Sequence, residues 1–224
     1  MSVFGICMVR DADDIIGYIV EHMIEQVDHV IVADNLSTDS TRDILEWFGS
    51  DITLVEDNDP AYRQSEKMTA LAMLAKKAGA QWVVPFDADE WWYTTSGDRI
   101  ADVIRANNYC INAAYMYDHV PTGVDSSDPN PMKRIAWRRN TKTPLHKVAC
   151  RVTNDLTIEM GNHNATYTTH MPTYSFDLLE VRHFPYRNAE QFVDKAIVGA
   201  LALEKTDLPY EQGQHWRDYA RIAK

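Results

Sequence analysis

Along the first ninety residues the apolar positions alternate between two spacings. Ser2–Val9 is a short apolar run of strand length. Beyond it Ile15, Ile16, Ile19, Met23 and Ile24 follow a 3.6-residue period, with Asp11 or Asp13 placed to cap the helix. His29–Ala33 reads as the second strand. The polar turn Asp34-Asn35-Leu36-Ser37-Thr38-Asp39 then carries capping residues for a helix over Ser40–Phe48, which Gly49 ends. Ile52–Glu56 is the third strand, and Tyr62–Ala78, ended by Gly79, the third helix. Trp82–Phe86 is the fourth strand, stopping at Asp87-Ala88-Asp89-Glu90. Strands alternating with helices predict an α/β fold with a doubly wound, mostly parallel sheet and right-handed crossovers. Such sheets bind ligands beyond the carboxyl ends of their strands.

After Glu90 the rhythm changes. A helix is expected over Asp98–Ala106, a strand over Cys110–Tyr117 and a loop rich in Pro, Gly, Asp and Ser over Asp118–Pro131. Further strands are expected at Ile135–Arg139, Lys147–Val152 and Leu178–Phe184, then an amphipathic helix over Asn188–Leu203. No linker-like stretch divides the halves, so the second reads as a mixed C-terminal extension of the same sheet. One domain over 1–204 and a helical tail over 205–224 are the expected organisation.

Composition adds limits. With 45% hydrophobic and 25% charged residues in 224, the chain is an ordinary globular one. Its net charge of −11 repels the phosphate backbone on which non-specific nucleic-acid binding depends. The N-terminus lacks a basic segment before its apolar run, and no stretch approaches the ~20 apolar residues of a membrane span. A cytoplasmic setting is expected. Cys7, Cys110 and Cys150 are odd in number and widely spaced, which speaks against a disulfide framework or a zinc knuckle.

The acidic residues at strand ends carry the candidate chemistry. Asp34 follows the second strand; Asp87 and Asp89 follow the fourth, and side chains at i and i+2 of an extended segment share a face. Hard oxygen ligands of that kind suit Mg²⁺ or Mn²⁺ with room left for substrate phosphates.

Cys7–Asp14, Asp34–Thr41 and Phe86–Glu90 resemble the three N-terminal landmarks of family 2-like glycosyltransferases with a GT-A fold. Lys147–Arg151 and Val181–Lys195, the latter containing His183-Phe184-Pro185-Tyr186-Arg187, resemble the C-terminal signature of a bacterial and viral branch of that group. The resemblance implies a nucleotide-binding half (1–90) and an acceptor and metal half (91–204). It also implies transfer, with inversion, from a nucleotide-sugar donor, UDP being the expected nucleotide, to a glycan, protein or modified-nucleobase acceptor. Arg10, Asp34 and Asp39 would then meet the nucleotide, and Arg63 or its helix neighbours Gln64 and Lys67 would also reach the donor. Asp87 would serve both ribose and metal, Asp89 the metal directly, His183 would be the third ligand, and Lys147 would stabilise the diphosphate. His163, whose ordinary pKa near ~6.5 suits proton transfer, and Glu90 beside the metal pair are rival bases. Two other readings stand beside this one. A sugar nucleotidyltransferase would be expected to carry a glycine-rich loop after the first strand, where Met8–Asp13 has none. A binding protein without turnover would share the fold.

Overall fold

The computed structural model describes residues 1–222. Ten strands and seven helices run in the order β1 (Val3–Val9), α1 (Ile16–Gln26), β2 (His29–Asp34), α2 (Thr41–Trp47), β3 (Ile52–Glu56), α3 (Gln64–Lys77), β4 (Trp82–Pro85), β5 (Glu90–Thr94), α4 (Ile100–Arg105), β6 (Ile111–Asp118), α5 (Pro131–Arg134), β7 (His146–Arg151), β8 (Leu156–Ile158), β9 (Ala165–Tyr167), β10 (Tyr174–His183), α6 (Ala189–Leu203) and α7 (Gln214–Ile222). Eight strands form one sheet in the order β3-β2-β1-β4-β7-β6-β10-β5, and β8 and β9 form a separate hairpin. The first four sheet strands are parallel. β7 enters antiparallel to β4 and β6, and β5 antiparallel to β10, which makes the second half a mixed extension of the same sheet.

Period-2 alternation puts two cores on the two faces. Val3, Cys7 and Val9 of β1, with Val30 and Val32 of β2, pack against α1, α2 and α4. Phe4 and Ile6, with Ile31 and Ala33, pack against Met68, Leu71, Ala72 and Ala75 of α3 and the β8–β9 hairpin. Strands covered on both faces read as continuous apolar runs, which is why β1, β2 and β4 are plain in the sequence. Gly5 is needed at its position because a Cβ would come within 3.0 Å of the Phe86 ring.

Several expectations need correction. Residues 135–139 form no strand; a single bridge joins Arg138 to His119. The Asp11 and Asp13 side chains do not cap α1, whose N-cap position is Ile15 with no side-chain bond. They accept instead from the amides of Thr38 and Ser40 across the cleft between two loops. The tail expected over 205–224 contains α7, while 223 and 224 lie outside the described residues. Among the described residues no helix is long and apolar enough to cross a membrane.

The connection from β4 to β5 shapes the molecule. Residues 86–89 join a central strand to an edge strand with β7, β6 and β10 between them. Four strand spacings of about 4.8 Å make roughly 19 Å, more than the ~17 Å five fully extended residues reach. The link is not even extended, since the Glu90 amide bonds back to the Asp87 carbonyl at 3.1 Å. The sheet must curl, and the curl brings the start of β5 and the end of β10 to the rim where β1 and β4 stop.

Candidate functional site

At that rim lies a cavity of about 1270 Å³. Its lining comes from the loop after β1, the Asp87–Asp89 link, Thr143–Leu145, the Gly161–His163 turn, His183 and α6, and α7 closes it with His215 and Trp216. Acidic side chains in the lining outnumber Lys and Arg eight to four.

Asp89 sits at its centre, with 7% of its side chain exposed. Its Oδ2 accepts from Lys195 Nζ at 2.5 Å, Arg187 Nη1 stands 3.9 Å away, and Oδ1 faces His183 Nε2 at 3.8 Å. Burial pushes the Asp89 carboxyl up, but the positive charge of Lys195, with Arg187 beyond it, outweighs this and holds the group well below the usual carboxylate range. Clustered carboxylates would repel one another; here cations surround the central one, so replacing Asp89 strands buried positive charge. Arg187 is itself fixed by a two-pronged bond to Asp14 at 2.6 and 2.8 Å and by a weaker one to the Phe184 carbonyl.

Asp87 faces elsewhere. Its Oδ2 accepts from Lys147 at 2.7 Å, and its Oδ1 from Asn162 at 3.0 Å and Gln64 at 3.3 Å. Lys147, almost fully buried, spends its ammonium on Asp87, on Glu90 at 2.7 Å and on the Gly161 carbonyl at 2.7 Å. It is therefore a clamp on the Asp87–Glu90 link, not a free cation for a diphosphate. Glu90 is 0% exposed, accepts from the Asp87 amide and the Trp92 indole, and does not line the cavity, which removes it as a base for an incoming hydroxyl.

His163 lines the cavity, and its Nδ1 bonds to the His146 carbonyl at 2.8 Å, so Nδ1 carries the proton and Nε2 keeps its lone pair. Burial, aided by the charge of Lys147, pulls its pKa down to about 4. The assumption of an unperturbed pKa thus fails: this imidazole is a neutral acceptor and a weak base at pH 7.

On the nucleotide side, Arg10 lines the cavity beside Asp11. Asp34 does not line it. It is 4% exposed and accepts from the Ser37 amide at 3.2 Å, holding the turn from behind, while Asn35 reaches the cavity in its place. Asp39 is at the wall, but its carboxylate accepts from the amides of Asp13 and Thr41 at 3.1 and 2.9 Å. Arg63 is half-exposed, pairs with Asp59 at 3.6 Å and lies outside the lining; Gln64 is the residue of that helix start inside it. Two non-glycine residues at this rim, Asp11 and Asn162, hold φ of 47° and 55°, a left-handed conformation that costs energy and clusters at functional sites.

Asp89 and His183 fit the divalent ion that the DxD pattern implies. His183 Nδ1 is bonded to Asp118 Oδ1 at 2.9 Å, which turns Nε2 with its lone pair toward Asp89, the support usual behind a ligating imidazole. The fit is with two protein ligands. Asp87 is not brought to them, and among the described residues no three His, Cys, Asp or Glu side chains converge on one point.

Sequence reasoning missed Lys195 as the partner of Asp89, and Trp216 as a wall. The signal for Lys195 was its place in α6, one turn after Gln191 and before Val198 and Ala202 on a face that lines the cavity. For Trp216 the cue was Gly199, where an added Cβ would come within 3.2 Å of the indole.

A doubly wound parallel half continued in the same sheet by β7, β6, β10 and β5, of which β7 and β5 run antiparallel, is the fold of GT-A glycosyltransferases. The sequence profile of glycosyl transferase family 2 matches residues 6–158, and the chain belongs to that family of nucleotide-sugar-dependent enzymes. S. aureus TarS residues 1–349 superposes with a TM-score of 0.55 at 15% identity, covering 100% of this chain and 71% of that one. The same fragment in complex with UDP-GlcNAc gives 0.51 at 16% identity, with 100% and 72% covered. Against S. aureus TarS at greater length the values are 0.53 and 15%, with 100% of this chain and 43% of that chain covered. At these identities the likeness is one of fold. No curated protein matches the sequence.

Proposed function

We propose that the protein transfers a sugar, with inversion, from a UDP-sugar to an acceptor hydroxyl with the help of Mn²⁺ or Mg²⁺. The observation that carries this reading is the pairing of Asp89 with His183 Nε2, 3.8 Å apart on the wall of a cavity at the carboxyl ends of the parallel strands. Support for UDP comes from TarS, whose fold is shared and which has been crystallised with UDP and with UDP-GlcNAc.

Electrostatics favour a metal. A diphosphate entering a cavity in which acids outnumber bases eight to four is repelled unless positive charge enters with it. Asp89 and His183 would hold the ion, which neutralises charge building on the departing nucleoside diphosphate. Lys147, by fixing Asp87, leaves that carboxylate's rim edge for ribose hydroxyls. Asp34 and Asp39 act indirectly, Asp34 holding its own turn and Asp39 joining it to the loop after β1, so that Asn35 and Arg10 meet the nucleotide from two neighbouring loops. Neutral His163 accepts a hydrogen bond from the acceptor hydroxyl and orients it. Residues 1–90 supply the nucleotide side and 91–204 the acceptor side, with the ligands Asp89 and His183 drawn one from each. The acceptor class remains glycan, protein or modified nucleobase, and the setting cytosolic.

Donor hydrolysis and transfer, followed with purified protein and a panel of nucleotide sugars with and without Mn²⁺, test the reading. UDP release that requires Mn²⁺ and is stopped by EDTA is expected. Donor binding without any release would identify a binding protein instead.

A further inference from the structure

The cations of the cavity are not equivalent. Arg187 is 3% exposed and spent on Asp14 and the Phe184 carbonyl. Lys147 is 4% exposed, with three acceptors for its three N–H bonds. Arg10 is bonded to Asp11 in the loop that follows β1. Lys195, with a single hydrogen bond, to Asp89, is the most exposed of the four, 35% of its side chain against 28% for Arg10, and it alone of the four is seated on Asp89 by a hydrogen bond. Its ammonium also lies 5.5 Å from the centre of the Trp216 ring, within the range of a cation–π contact, so α7 is its second neighbour.

We propose that Lys195 is a binding residue for the donor's diphosphate, parked on Asp89 until the donor arrives. This rests on the donor reading above. Without donor, Lys195 supplies the counter-charge that a buried carboxylate needs. A divalent ion arriving on Asp89 repels an ammonium on the same carboxylate, and a four-carbon stem lets that ammonium move while the rigid Arg187 fork stays. The acceptors next to hand are then phosphate oxygens. The exchange keeps every charge paired in both states, and it links α6, and through Trp216 against Gly199 also α7, to occupancy of the donor site.

Calorimetric titration of wild type, K195M and K195R with UDP and with uridine, each in Mn²⁺, separates phosphate recognition from nucleoside recognition. K195M is expected to weaken UDP by about 10–100-fold, the size of one charge-assisted hydrogen bond, to leave uridine within about twofold, and K195R to restore most of the loss. Mn²⁺ titrated alone is expected to bind K195M more tightly than wild type, because its competitor is gone. Thermal melts establish that the variants are folded, with K195Q taking the place of a K195M that is not. Equal losses for UDP and uridine, no loss for either, or Mn²⁺ binding that K195M leaves unchanged or weaker would overturn the proposal. If wild type binds neither UDP nor GDP, the donor reading falls and this inference with it; UDP binding indifferent to K195M removes this inference alone.

Discussion

His163 shows how environment rewrites a residue's chemistry. Its type and its place in a polar loop suggested a base, because an ordinary imidazole titrates near neutrality. Burial and the neighbouring Lys147 instead favour the neutral ring and pull its pKa down to about 4. Since that lies below the unfolded value of about 6.5, the unfolded chain binds more protons between the two. The stability contributed by neutral His163 is therefore complete above roughly pH 6.5 and is lost as pH falls toward 4. His163→Asn keeps a donor for the His146 carbonyl and removes the titration. The melting-temperature difference between pH 7.5 and pH 5 should shrink in that variant by about 2–4 °C, the effect of about 1 kcal/mol in a domain of this size. An identical pH profile for variant and wild type would refute the assignment. Asp34 teaches the complementary lesson. Its position at a strand end was legible, but the direction of its side chain depends on Ser37 folding back over it, which no residue type announces.

At the scale of elements, legibility followed periodicity. β3 occupies the expected residues, and β1, β2, β4 and α1 to α3 lie within a few residues of expectation, because each is long, apolar on the right period and bounded by turn residues. β5 was not foreseen, though Trp92 is wholly buried and Glu90 lies opposite His183 in the β5–β10 ladder. The short β8–β9 hairpin likewise leaves too few residues for a pattern. Its neighbouring turn matters nonetheless. Gly161 has φ of 74°, donates its amide to Gln64 and lends its carbonyl to Lys147, and a Cβ there would fall 2.4 Å from the His163 ring. Gly161→Ala should cost about 1–3 kcal/mol through backbone strain and displacement of that ring, and should loosen the clamp on Asp87. Urea unfolding measures the first effect. A variant as stable as wild type would mean that the turn relaxes without consequence.

Across the whole molecule, the four-residue link from β4 to β5 sets an order in time. Every contact within β1–β4 joins residues of the first 86, whereas the Asp89 carbonyl is met by the Phe184 amide at 2.8 Å and its carboxylate by Lys195. Closing a loop of that length is slow and is rewarded only once β10 has found its neighbours. The surroundings of Asp89 are accordingly completed after β1–β4. During refolding, pulsed hydrogen exchange should find the amides of β1 and β2 protected before that of Phe184, and simultaneous protection would contradict this sequence of events. During synthesis on the ribosome, a chain that has emerged only as far as β9 carries Asp89 without His183, Arg187 or Lys195 beside it. The wall that α6 and α7 give the cavity is then still missing, so a nascent chain exposes Asp89 to solvent before any of its cationic neighbours exists.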